Sequence, residues 1–113
     1  MSIAFEDSDS GVRTIKITGR MDITGTGEIE LRFTTLAATE KRNILADLSD
    51  VELLASIGIR AIISNAKAQK QRGGKFVLFV GGNNQVTKTL ETTGVDELVP
   101  MFSDMNAALA ALA

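Results

Sequence analysis

Hydroxyls, carboxylates and amines are the reactive side chains of this 113-residue sequence, which has neither cysteine nor histidine. Disulfide and thiolate chemistry are therefore excluded, and the commonest general base and metal ligand is missing. A nucleophile would need Lys, Asp or Glu as its base. Asp47, Asp50 and Glu52 lie close together, but Asp50 and Glu52 fall in a segment that reads as a connection, where solvated carboxylates are the ordinary case. No carboxylate spacing matches a calcium loop. The sequence thus predicts no catalytic residue, no metal site and no cofactor. It suits a substrate or a binding surface better than an enzyme.

The most informative hydroxyl is that of Ser56. Ile44 to Leu48 is a short apolar run that leads into Asp47-Leu48-Ser49-Asp50, a turn-like cluster. From Ile59 the apolar residues fall at Ile59, Ile62, Ile63 and Ala66, which is helical spacing. A buried strand, a bend and a helix opening at Ser56 follow. Serine is a favoured N-cap, although Ile59 stands where a capping box wants Glu or Gln. The same hydroxyl suits phosphorylation, because free N–H groups and the helix dipole tolerate a phosphate there. The two roles are compatible, and on spacing alone the cap is the commoner one. Gly58 would let a partner surface approach. Arg60, one turn on, could pair with a phosphate. Arg60, Ser64, Lys67 and Gln71 form a polar row along the helix, ordinarily just a solvated face.

The positioning elements are legible in outline. Ser2–Asp7 and Val12–Thr18, joined at Ser8-Asp9-Ser10-Gly11, read as an antiparallel hairpin. Residues 19–27 read as a loop; its glycines match neither a dinucleotide fingerprint nor a P-loop. Thr24 or Thr26 is the expected cap of a helix whose inner face is Ile29, Phe33, Leu36 and Ala37 and which ends at Lys41-Arg42-Asn43. Gly73-Gly74 closes the helix from Ser56, and Lys75–Val80 reads as a strand covered on both faces. A short helix with Val86 and Leu90 inside ends at Gly94. Glu97–Phe102 reads as a last strand, with Pro100 marking an edge. Ser103 or Asp104 caps a final helix packed by Met105, Ala108, Leu109 and Leu112. The order β-β-α-β-α-β-α-β-α predicts one α/β domain over residues 1–113. Its sheet is mixed but mostly parallel, with about five strands and four helices.

A chain of this length buries roughly two-thirds of its unfolded surface and needs no staples. Net charge is −2 without a basic patch, and Trp and Tyr are absent, so a nucleic-acid partner is not expected. Residues 1–7 lack the features of a signal peptide, and no apolar run reaches the ~18–20 residues of a membrane span. The expectation is a soluble, cytoplasmic protein without membrane insertion.

Over nearly its full length the sequence resembles the STAS domain family, found in bacterial anti-sigma factor antagonists and the tails of sulphate transporters. The resemblance rests first on Asp47-Leu48-Ser49-Asp50-Val51 followed by Ala55-Ser56-Ile57-Gly58-Ile59. Antagonists read Asp-Leu-Ser-x-Val and then Asp-Ser-Ser/Thr-Gly-Leu. Gly19-Arg20-Met21-Asp22 resembles Gly-Glu-Leu-Asp, Gly73-Gly74-Lys75 precedes the next strand, and Leu90-Glu91-Thr92-Thr93-Gly94-Val95 resembles Leu-x-x-x-Gly-Leu. The resemblance places the phosphorylated serine on Ser56 and the nearby loop aspartate on Asp22, and it favours a phosphoacceptor. It implies partner switching. The unphosphorylated antagonist binds an anti-sigma factor that is also a serine kinase, phosphorylation releases it, and a PP2C-type serine phosphatase resets the cycle. Asp22, Thr24, Ser56, Ile57, Gly58, Arg60 and Ser64 are the expected partner-binding residues. Three positions depart from the pattern: Ala55 replaces the aspartate before the serine, Ile57 the second hydroxyl, and Arg20 the loop glutamate. Ala55 and Ile57 favour an alternative, a non-phosphorylated STAS interaction module in a signalling or lipid-transport assembly. A nucleotide-binding module is a further rival, against which the missing glycine fingerprint weighs.

Overall fold

A computed structural model describes residues 1–113. The elements are β1 (Ser2–Asp7), β2 (Val12–Met21), α1 (Ile23–Ala38), β3 (Asn43–Leu54), α2 (Ser56–Gln71), β4 (Lys75–Phe79), α3 (Asn84–Thr92), α4 (Val95–Leu98), β5 (Met101–Phe102) and α5 (Met105–Ala111). The strands form one five-stranded sheet in the order β1-β2-β3-β4-β5. β1 pairs with β2 antiparallel, and the remaining pairs are parallel. The expected fold class holds, with a fifth, one-turn helix, α4.

Alternation along the central strands divides the core between two faces. Ile44, Ala46, Phe76 and Leu78 join the large cluster that holds Ile29 and Phe33 of α1, Ile62 of α2 and Leu90 of α3. Leu45 and Val77 point the other way and pack with Ala108 and Leu112, which the last helix brings over the sheet. Arg13 is buried on β2, where it forks onto Asp7 with contacts of 2.7 and 2.9 Å and donates to Leu36 O at 3.1 Å. That arginine ties the hairpin to α1.

Several expected boundaries move. β3 does not stop at Leu48 but runs to Leu54, so Asp50 and Glu52 lie on a strand rather than in a connection. Its register against β2 shifts twice, between Lys16 and Thr18 and between Gly19 and Arg20. The turn-like Asp-Leu-Ser-Asp cluster is therefore a bulged strand. Local bonds support the bulge: Ser49 N–H and Oγ–H donate to Asp47 Oδ1 at 2.9 and 2.6 Å. Asn83 Nδ2 reaches the carbonyls of Leu48, Ser49 and Val51 at 3.2, 3.2 and 2.8 Å.

α1 ends at Ala38, short of the basic run. Its last carbonyls are taken by side chains from elsewhere, as helix ends require. Gln69 donates to Ala37 O at 2.7 Å and Arg72 to Ala38 O at 2.7 Å. The expected strand from Glu97 is instead helix α4, opened by Gly94 at φ +76° with Asp96 and Glu97 in its first turn. Only Met101 and Phe102 remain to pair with β4. Asp104, not Ser103, caps α5 by accepting from Ala107 N–H at 2.9 Å.

Candidate functional site

Met21 lies opposite Leu54 at the carboxyl ends of the parallel strands β2 and β3. The residues that follow, Asp22 and Ala55, are each the N-cap of the next helix. Ala55 N–H donates to Met21 O at 3.1 Å and ties the two exits together. The N-termini of α1 and α2 therefore open side by side at the carboxyl end of β2 and β3.

The two N-termini satisfy their free amides differently. At α1 the cap is Asp22, not Thr24 or Thr26: its Oδ1 accepts from Gly25 N–H at 2.8 Å. Its Oδ2 lies 3.4 Å from Arg20 Nε. The Gly25 amide foremost, and then Arg20, holds this carboxyl below the usual carboxylate range. At α2 no side chain caps. Ser56, expected as the cap, is the first helical residue; the cap position is Ala55, which has no acceptor in its side chain. The Ser56 hydroxyl is exposed beside an uncapped helix N-terminus.

Thr24, Arg60 and Ser64 are exposed, and Ile57 is half-buried. Arg60 is one turn from Ser56. Ser64 is about 12 Å along the helix from Ser56, farther from the α2 N-terminus than the others. The chain's ion pairs engage Arg13, Lys16, Arg20, Arg42 and the N-terminus, leaving Arg60 unpaired. Gly58 turns out to face inward. A Cβ there would lie 2.8 Å from Met21 Cβ and 3.0 Å from Leu54 Cδ1. Its lack of a side chain admits the ends of β2 and β3, not a partner.

Beside Asp22 and Thr24 is a shallow depression of about 280 Å³, also lined by Arg20, Glu28 and Glu52. The Met1 ammonium stands 3.8 Å from Glu28 there. No group of carboxylates in the chain has the proximity to hold a metal ion. Asp47 and Asp50 are both drawn to Lys16, at 4.0 and 2.9 Å, which makes a cross-strand charge cluster rather than an acid/base pair. Ile23, next to Asp22, is 77% exposed, and Leu31 two turns later is 82% exposed. Neither position is singled out by a motif or by spacing in the sequence. Leu31 lies opposite the Ile29, Phe33, Ala37 face, where an apolar side chain has no core to fill, and Ile23 is the first residue of the helix, ahead of that packing.

A family model described as the STAS domain matches residues 7–108. Among solved structures, the chain is similar to an anti-sigma factor antagonist from Mycobacterium paratuberculosis, with TM-score 0.86 and 24% identity over 98% of this chain and 92% of that one. An anti-sigma factor antagonist (STAS) domain protein from Planctomyces limnophilus matches with TM-score 0.82 and 27% identity, over 98% and 97%. The Bacillus cell fate determinant SpoIIAA, solved in its phosphorylated form, matches with TM-score 0.66 and 12% identity over 99% and 100%. No curated protein sequence matches the chain. No helix is long and apolar enough to cross a membrane.

Proposed function

The chain belongs to the STAS domain family, and from that premise we propose that it is an anti-sigma factor antagonist switched by phosphorylation of Ser56. The observation that carries this is the exposed Ser56 hydroxyl at the first position of an uncapped α2, beside the capped end of α1. A serine that is not spent as a cap is open to a kinase. A protein of this fold, SpoIIAA, exists in phosphorylated form.

The physics of the site suits an electrostatic switch. A phosphate adds about −1.5 to −2 charges at neutral pH. The unsatisfied amides of α2 accept it locally, and the unpaired guanidinium of Arg60 is one turn away. The carrier need not unfold. The docking face is Asp22, Thr24, Ser56, Ile57 and Arg60, extended by the exposed Ile23, with Ser64 at its margin. A phosphate in the middle of that face acts on the partner by repulsion and desolvation cost. The partner is an anti-sigma factor with serine kinase activity, and a PP2C-type serine phosphatase restores the hydroxyl.

The test is intact mass before and after incubation with ATP and a candidate anti-sigma kinase, with the modified residue mapped. One added phosphate on Ser56 is expected. Ser56→Ala should bind the kinase and stay bound, whereas Ser56→Asp should bind weakly. Equal binding by wild type and both variants would rule the site out.

A second reading is favoured by Ala55 and Ile57, which remove the acid and the second hydroxyl from the family pattern. In it the domain is a constitutive STAS interaction module of a signalling or lipid-transport assembly. A kinase that binds the domain without modifying it would select this alternative.

A further inference from the structure

Away from Ser56, a groove of about 580 Å³ opens between α2, the start of β4 and the α4–β5 connection. That volume lies within the range of small-molecule sites. Ile63, Ala66, Phe76 and Val99 line it, and Leu98, 68% exposed, borders it. The remaining chemistry is one-sided: Lys67, Lys70 and Lys75 line the groove and no acidic residue does. Neither Lys67 nor Lys70 is in an ion pair. Lys75 is partly engaged, donating to Ala113 O at 3.1 Å. Lys67 and Lys70 are exposed, adjacent on one helix face, and free. In a chain of net charge −2, this is an apolar cleft with a cationic rim.

We infer that the groove binds a free long-chain fatty acid, its hydrocarbon chain along Ile63, Ala66, Phe76 and Leu98 and its carboxylate on Lys67 and Lys70. Charge complementarity selects an anion, and the apolar lining selects a hydrocarbon. An acidic peptide fits less well, because backbone amides buried against these side chains would lack partners. The lane beside β4 is no substitute, since Leu78 N–H donates to Pro100 O at 2.8 Å and Val80 N–H to Phe102 O at 2.9 Å. A bilayer surface is too broad to enter a cleft that takes one chain. Along α2 the groove begins about 10 Å from Ser56 and reaches about 21 Å from it, so it does not include the phosphoacceptor.

The experiment is titration of the isotope-labelled full chain with palmitate, below its micelle threshold, followed by amide resonances. Saturable one-to-one shifts are expected at Ala66, Phe76 and Leu98, with Ser56 unmoved. The exposed double variant Lys67→Glu/Lys70→Glu should keep the wild-type melting temperature and bind about tenfold or more weakly, since both charge-assisted contacts to the carboxylate are lost. Hexadecanol should bind more weakly than palmitate by a similar factor, and Leu98→Asp should weaken both. The inference is overturned if palmitate gives no saturable shift, or if hexadecanol binds as tightly as palmitate. It is also overturned if the same amides respond to an acidic peptide or to phosphatidylglycerol vesicles while ignoring palmitate.

Discussion

Alanine at Gly58 and alanine at Gly27 should move stability in opposite directions, although both positions are helical glycines. In a helix interior the exchange gains about 0.8–1 kcal/mol from backbone entropy. Gly27 is exposed in α1, and a Cβ built there meets nothing within 4 Å. Gly27→Ala should therefore stabilise by about 0.5–1 kcal/mol. At Gly58 the new methyl would stand 2.8 Å from Met21 Cβ and 3.1 Å from Met21 O. Neither atom is the free end of a side chain, so α2 must lift from the ends of β2 and β3. Overpacking of this kind costs about 1–3 kcal/mol. Gly58 is also only the third residue of α2, where the propensity gain is partial. The net loss should be about 1–2 kcal/mol. For a domain of this size the two variants should melt roughly 10 °C apart. Thermal melts by circular dichroism and urea midpoints measure the gap. Because the lifted turn carries Ser56, Gly58→Ala should also slow the proposed phosphorylation relative to Gly27→Ala. If Gly58→Ala proves as stable as wild type, α2 is not held against Met21 as described.

Ser56→Ala should change stability by less than about 0.5 kcal/mol, because the hydroxyl caps nothing; a loss near 1 kcal/mol, typical of a deleted N-cap, would return Ser56 to a structural role. Gln69→Leu should cost about 2–4 kcal/mol in urea denaturation. The buried amide bonds Ala37 O, Glu40 O and Arg42 N–H at 2.7, 2.9 and 2.9 Å, and leucine leaves all three unpaired. Acid should weaken the hairpin anchor. The hydrogen bond from Arg13 foremost, with the charges of Arg13 and Arg42, lowers the Asp7 pKa. Its contribution is therefore complete above the ordinary carboxylate pKa and is lost as pH falls through the depressed one. Urea midpoints between pH 6 and pH 2 should fall less steeply for Asp7→Asn than for wild type, with Asp22 supplying part of the remaining slope.

Most of the fold was legible because its signals are local. Alternation at Ile15 and Ile17 and helical spacing at Ile29, Phe33 and Ala37 each state a period and a buried side, and the unbroken apolar run from Phe76 to Val80 states a strand covered on both faces. Glycine stops were equally plain. Gly73 N–H donates to Lys70 O at 3.0 Å and Gly74 N–H to Gln69 O at 3.1 Å, closing α2 as two glycines promise. Ser56 was legible as a hydroxyl at a helix start, and Asp22 as its companion through family resemblance.

What the sequence could not express was non-local. Asp-Leu-Ser-Asp has turn chemistry, yet it extends as strand because β2 pairs alongside it and Asn83, from a distant loop, takes up the bulge carbonyls. Thr24 and Thr26 were fair caps by type, but the strand exit at Met21 puts Asp22 at the α1 cap and Ala55 at the α2 cap. Gly58 looked like an opening to a partner until Met21 and Leu54 filled it. The sequence by itself determined the periods, the faces and the residue types available for chemistry. Only the tertiary structure decided which backbone groups each segment had left to satisfy, because hydrogen-bond partners far apart in the chain are chosen by the packed sheet.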